Sequence, residues 1–146
     1  MRVLYIPDKD ERYGAAISMR NMVEALSRMG VEPIIVLHRE GILSEYAKQH
    51  HFQHYTIDFP PFYIQESRNL MKRIIQRTCR LGYKTIYYIR LKKALAKAEK
   101  ELDFDSIDLI HTNVNRNDFG AILAKRHHIP HVWHIREYQK KFRAKS

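Results

Sequence analysis

Two polar clusters in the last third of the chain carry the side chains best suited to chemistry. One is His111-Thr112-Asn113 with Asn115, and the other is His134 with Arg136 and Glu137. Asparagine both donates and accepts hydrogen bonds, so Asn113 and Asn115, with His111 beside them, suit a hydroxyl-rich ligand. Turn-forming asparagines and a structural histidine would account for the same residues equally well. Near neutral pH a histidine can be a general base or a hydrogen-bond partner, which makes His134 the candidate catalytic residue. Arg136 could hold a phosphate, or it could pair with Glu137 in a purely structural cap. A third candidate is Gly14, in the loop from Pro7 to Ala16. A glycine at a strand-to-helix turn lets backbone N–H groups approach a phosphate at the positive end of a helix. One glycine meets neither the dinucleotide fingerprint nor the P-loop, so by itself this loop reads as a plain turn.

The segment from Asp108 to Glu137 must position both clusters. Leu109-Ile110 opens a short strand that breaks at His111–Asn115. A helix follows with Phe119, Ile122 and Leu123 on one side, and Ile129-Pro130 turns the chain into a second buried strand, His131–His134. A βαβ unit of this kind crosses over right-handed, which brings the two clusters to one sheet edge. That is the edge where open α/β sheets bind ligands. Upstream, Val3–Ile6 reads as a first buried strand, and the spacing of Met19, Met22, Val23, Leu26 and Met29 predicts a helix over Ala15–Met29 stopped by Gly30. Pro33–Leu37 is a second strand, Gly41–His50 a short helix, and Gln53–Ile57 a weaker third strand before Pro60-Pro61. From Tyr63 to Leu102 the pattern becomes long basic helices: Leu70, Met71, Ile74 and Ile75 form one stripe, Gly82 breaks it, and Tyr88, Leu91, Leu95, Ala98 and Leu102 form another. Alternating strands and helices predict an α/β, Rossmann-like doubly wound parallel sheet with helices on both faces, and 146 residues make one domain, 1–146.

The net charge of +10 is concentrated rather than spread. Between Arg68 and Lys100 eleven Lys/Arg face the single acid Glu99, an excess of ten that equals the whole net charge. Arg73, Arg77, Arg80, Lys84, Arg90, Lys92 and Lys93, interleaved with tyrosines and isoleucines, suit an anionic membrane surface at about 1 kcal/mol per basic residue. The same charge could follow a nucleic-acid backbone, a reading disfavoured because no nucleic-acid motif is present. It could also be a solvated face beside an ordinary core stripe. No run of about 20 apolar residues spans a bilayer, and the short N-terminal apolar run is no signal peptide. The lone Cys79 excludes an intrachain disulfide and fits a reducing, cytoplasmic setting. Its basic neighbours Arg77 and Arg80 could favour thiolate, but a partly buried helical thiol is the simpler reading. Nine histidines raise the question of a metal, yet His131 and His134 point to opposite faces of a strand, and His127-His128 lack ligand spacing; no metal is expected.

Taken together, MRVLYI, Tyr13-Gly14-Ala15 opening a helix, Met29-Gly30-Val31, Asp108–Asn113 and Ile129–Glu137 resemble the N-terminal domain of family 4 glycosyltransferases, which have the two-domain GT-B fold. The resemblance runs along the whole chain, and Ile129–Glu137 is its most specific part. It implies retaining transfer of a sugar from a nucleotide sugar to a glycan or lipid-linked acceptor, with no other cofactor. It implies that this domain mainly binds acceptor, that the Gly14 loop approaches the donor phosphate, and that His134 lies in the cleft near the transferred sugar. Many members work on lipid-linked or surface-polysaccharide acceptors, peripherally at the inner membrane face, which suits the basic helices. Two departures stand out. Gly14 is followed by Ala15-Ala16 where the family usually has a glycine pair, and the donor-binding C-terminal half with its paired glutamates is absent, so these 146 residues alone are expected to have little or no activity. The alternative is a non-catalytic membrane- or partner-binding module.

Overall fold

The computed structural model describes residues 1–7, 14–61, 71, 80–113 and 117–135. The elements in chain order are β1 (Arg2–Ile6), α1 (Gly14–Arg28), β2 (Glu32–Leu37), α2 (Ile42–Gln49), β3 (Gln53–Thr56), α3 (Arg80–Glu101), a 3₁₀ turn (Phe104–Ser106), β4 (Leu109–Asn113), α4 (Phe119–His127) and β5 (His131–His134). The described strands form one parallel sheet in the order β3-β2-β1-β4-β5.

The central strands are apolar on both sides because both sides are covered. Val3, Tyr5, Ile35 and Leu37 meet Met19 and Val23 of α1 and Leu43, Tyr46 and Ala47 of α2. Leu4, Ile6, Ile34, Val36 and Ile110 point the other way, onto Leu91, Leu95, Ala98 and Leu102 of α3 and Phe119 and Leu123 of α4. Each fully buried Leu, Ile or Phe contributes about 1.5–3 kcal/mol relative to exposure. The covering of two faces follows from crossover hand. From β1 the chain steps to β2 and β3 in one direction, and from β4 to β5 in the other, so right-handed crossovers put α1 and α2 on one face and α4 on the opposite one. The order reverses between β1 and β4, which makes that boundary the topological switch point. Gly30 ends α1 with φ +89°, a left-handed conformation that glycine adopts without a Cβ penalty.

Three expectations from sequence are corrected. Gly82 does not break a helix: α3 begins at Arg80 and runs through it, so one glycine in a first turn costs too little to stop a helix anchored by packing further on. Tyr88 is not part of the buried stripe, being 64% exposed. Lys84 and Tyr88 prolong the line of Leu91, Leu95, Ala98 and Leu102, yet both are exposed, so among the described residues the buried stripe of α3 begins at Leu91. Finally, β5 is not a buried strand. Its outer edge has no described neighbour, and Val132 and Trp133 are 44% and 39% exposed. Leu70, Ile74, Ile75 and Cys79 lie outside the described residues, as does the structure of 62–70 and 72–79.

Candidate functional site

The C-terminal ends of β1, β4 and β5 lie side by side, with Ile6 opposite Thr112 and Asn113 opposite His134. Strand alternation then sorts the side chains. Tyr5, His111, Asn113 and His134 share the α1 face, while Thr112 and His131 lie on the α4 face. On the α1 face three rings run across the sheet in a ladder. Tyr5 and His111 have centroids 5.5 Å apart, and His111 and His134 meet edge to face at 5.8 Å. His111, the middle ring, is buried and His134 is half-exposed at the end. His134 is thus the member of the ladder that a ligand can reach.

Asn113 is fully buried, and its Nδ2 donates to the Ala15 carbonyl oxygen at 3.0 Å. That bond ties the first turn of α1 to the end of β4 and fixes where Gly14 stands over the sheet edge. Gly14 is exposed, and a Cβ built on it meets nothing within 4 Å, so packing does not require a glycine there. Of the remaining sequence-predicted site residues, Asn115, Arg136 and Glu137 lie outside the described residues.

The α4 face is held by Thr112 and His131, read from sequence as a candidate site residue and a rejected metal ligand, and by Gly120, Asp118 and Tyr87, which sequence reading did not single out. Thr112 Oγ1 and His131 Nε2 are 2.9 Å apart, and burial pushes the His131 pKa below its ordinary value. Gly120, in the first turn of α4, lies so close to β4 that an added Cβ would stand 2.0 Å from Thr112 Oγ1. Asp118, the residue before α4, gives its helix no side-chain cap; its two carboxylate oxygens accept from the Tyr87 hydroxyl at 2.7 and 2.8 Å instead. Burial, and then this bond, hold the Tyr87 pKa well above the usual tyrosine value. Farther along the same edge, Asp58 accepts two bonds from Arg90 and pairs with His38 Nε2 at 3.0 Å, while Phe59 stacks on Phe119 at 4.9 Å. These contacts fasten the exposed half of α3 to the loops at the ligand edge. Only proximity in the fold joins Tyr87 to Asp118 or Arg90 to Asp58, so no spacing in the sequence announces them.

The basic helix itself is only partly free for a partner. Lys84, Lys92 and Lys93 are exposed, together with Ile86, Tyr88 and Ile89. At 100° per residue Ile86, Ile89 and Lys93 share the outward face of α3. Arg90 turns instead to Asp58. Arg80 is the first residue of the helix, and Arg73 and Arg77 lie outside the described residues. No described helix is long and apolar enough to cross a membrane, and no group of three or more metal-binding side chains gathers among the described residues. An open cavity of about 420 Å³ does exist, lined by Arg2, Gly30, Val31, Phe52 and Gln53, but it lies at the N-terminal ends of the strands. Ligands of open α/β sheets bind at the other end, and Arg2 is already engaged by Gln53, Ser106 and Glu32.

No family model matches the chain, and no curated protein matches it. Among solved structures it is similar to MurG of Acinetobacter baumannii, with a TM-score of 0.61 and 14% identity over 92% of this chain and 34% of that one. It is also similar to HepE of Anabaena, solved in complex with UDP and glucose, with a TM-score of 0.50 and 16% identity over 91% of this chain and 29% of that one. The chain therefore spans about a third of the length of the solved structures it matches. At such identities the likeness is one of fold, a Rossmann-like parallel α/β sheet.

Proposed function

We propose that the chain is the acceptor-side part of a glycosyltransferase that moves a sugar from a nucleotide sugar to a lipid-linked or polysaccharide acceptor. The observation that carries this reading is Asn113 at the switch point of the parallel sheet, bonded to Ala15 beside Gly14 and paired across to His134, in a fold shared with MurG over 92% of the chain. In this reading the backbone at Gly14 approaches the donor phosphates at the positive end of α1, and His134 hydrogen-bonds the sugar at the reacting end. Asn115, Arg136 and Glu137 contribute further contacts to the ligand. The family 4 assignment and retention of anomeric configuration belong to the same proposal and rest on the motif order in the sequence.

The acceptor is met at a membrane. Support comes from the exposed Ile86 and Ile89 beside Lys92 and Lys93 on the outward side of α3, an arrangement suited to an anionic lipid surface and to a peripheral place on its cytoplasmic side. The same observation favours a second reading, a non-catalytic module that only docks on membranes. The experiment that separates them extends the chain to the length of the solved structures it matches and incubates it with UDP-, GDP- and ADP-sugars and lipid-linked acceptors. Product carrying a new glycosidic bond of the donor's own configuration is expected. Vesicle binding without any transfer would leave only the docking module.

A further inference from the structure

The register of the sheet explains why His111 and His134 meet. His111 lies directly opposite Tyr5 on β1 and Val132 on β5, and His134 stands two residues beyond Val132. The two histidines are therefore diagonal neighbours on one face, a separation that flat side chains bridge. Their ring centroids lie 5.8 Å apart at an interplanar angle of 87°, while Tyr5 approaches His111 from the β1 side at 5.5 Å. Tyr5 is 1% exposed and His111 is 7% exposed. His134 is half-exposed on β5, a strand whose outer edge has no described neighbour.

Burial decides what His111 can do. A side chain almost closed to solvent is a poor contact for a dissolved ligand, and a ring packed in the interior has little freedom to turn. His134 has the opposite character. A ligand can reach it, but an exposed side chain on an edge strand changes rotamer within nanoseconds unless a neighbour holds it. Asn113, in register with His134, is turned to the Ala15 carbonyl. The immobile His111 ring supplies a surface for His134 to pack against, and crossed ring pairs favour a defined angle. Such orientation matters to chemistry, because a group already aligned with its ligand loses less freedom in the reaction.

We propose that His111 is a positioning residue: set between Tyr5 and His134, it holds the His134 ring in one orientation at the ligand edge and does not itself touch the ligand. This deepens the glycosyltransferase reading and rests on it for what His134 meets, whereas the holding of one ring by the other is a property of the chain alone. The role differs from the ligand contact expected of His111 from sequence.

Two measurements test it. On the 146-residue chain, NMR reads the couplings between Hα and the two Hβ protons of His134 in the parent, His111→Phe, His111→Ala and His111→Leu. Values of a single χ1 rotamer are expected in the parent and in His111→Phe, which keeps a flat ring, and rotamer-averaged values in His111→Ala. His111→Leu fills the space without a flat ring, which guards against a cavity that unfolds the protein, and averaged values are expected there too. A His134 fixed in one rotamer in the alanine or leucine variant overturns the proposal, as does averaging in the parent or in His111→Phe. In the chain extended as above, kcat for sugar transfer should fall about tenfold or more in His111→Ala and His111→Leu, with KM within about twofold of the parent, and should return in His111→Phe. A rise in KM alone, or a loss that phenylalanine does not restore, overturns the proposal, since His111 would then act on the ligand itself. If the extended parent transfers no sugar while the couplings behave as expected, the transferase reading fails and the positioning stands. Transfer with couplings that ignore His111 gives the reverse.

Discussion

Replacing Gly120 by alanine tests whether the close approach of α4 to β4 is as tight as it stands. On helix propensity alone the change should stabilise the protein by about 1 kcal/mol. The contact geometry gives the opposite sign. The new Cβ would lie 2.0 Å from Thr112 Oγ1, 3.0 Å from Ile6 Cδ1 and 3.4 Å from Thr112 Cβ, all within a layer where Ile6 and Thr112 are fully buried. Reaching ordinary van der Waals distance requires α4 to lift or Thr112 to rotate. Overpacking of this kind costs about 1–3 kcal/mol. Rotation of Thr112 breaks its bond to His131 Nε2 and leaves a buried polar group, at about 1–3 kcal/mol. Set against the propensity gain, either route leaves a net loss of about 1 kcal/mol, or about 2–4 °C in Tm for a chain of this size. Urea and thermal unfolding of Gly120→Ala, Thr112→Ala and the double variant would measure it. Because Thr112→Ala removes the obstructing hydroxyl, the double variant should be more stable than the sum of the singles by at least about 0.5 kcal/mol. Stabilisation by Gly120→Ala, or strict additivity, would refute the reasoning.

Other perturbations have equally definite signs. Tyr87→Phe removes the bond to the Asp118 carboxylate and should cost about 1.5–3 kcal/mol, typical of a hydrogen bond to a charged group, read from urea unfolding at neutral pH. Because the Tyr87 pKa is raised in the folded state, its stabilisation is present below the unfolded value of 10.0 and is lost as pH rises above it. Unfolding followed from pH 9 to 11 should therefore show a shallower decline in Tyr87→Phe than in the parent. Tyr5 and Tyr46, which burial also shifts upward, retain part of the slope. His131, lowered by burial from 6.5, acts at the other end: the neutral ring contributes stability above that value, and the contribution falls away as pH drops below it, so His131→Asn should flatten the acid side of the profile. For the membrane reading, Lys92→Ala with Lys93→Ala should weaken binding to vesicles of anionic lipid by about 2 kcal/mol, roughly 30-fold, at low salt. Neutral vesicles, or high salt, should abolish the difference.

Much of the scaffold was legible in the sequence for a physical reason. Val3–Ile6 and Pro33–Leu37 are buried on both faces and so are apolar throughout, which singles them out from loops and helices. The polar break after Leu109-Ile110 and the end of His131–His134 were also readable as strand ends, and they do bring His111, Asn113 and His134 to one edge. Legibility failed where a residue's role is set by what lies across the fold. Tyr87 and Tyr88 are adjacent and chemically alike, yet one turns in to Asp118 and the other turns out, because neighbours on a helix point about 100° apart. Gly120 looks like any helical glycine until Thr112 is seen beneath it. Val132-Trp133 reads as a buried strand by composition, but its place at the sheet edge leaves it exposed. The difference between Asn113 and Asn117, one tied to α1 and one without any partner, is invisible in the sequence for the same reason.

The central claim is that the edge formed by Gly14, Asn113 and His134 is one wall of a sugar-transfer site. The most direct measurement is the kcat/KM for sugar transfer in the chain extended to the length of its structural relatives, comparing the parent with His134→Ala and Gly14→Val. The valine side chain has open space around its Cβ, so a loss there reports on ligand approach rather than on packing. Loss of one pre-positioned hydrogen bond to a reacting ligand lowers kcat by about 10²–10³-fold, and a loss of that order in kcat/KM is expected for His134→Ala, with unchanged melting temperature. Parent-like transfer in both variants would contradict the account.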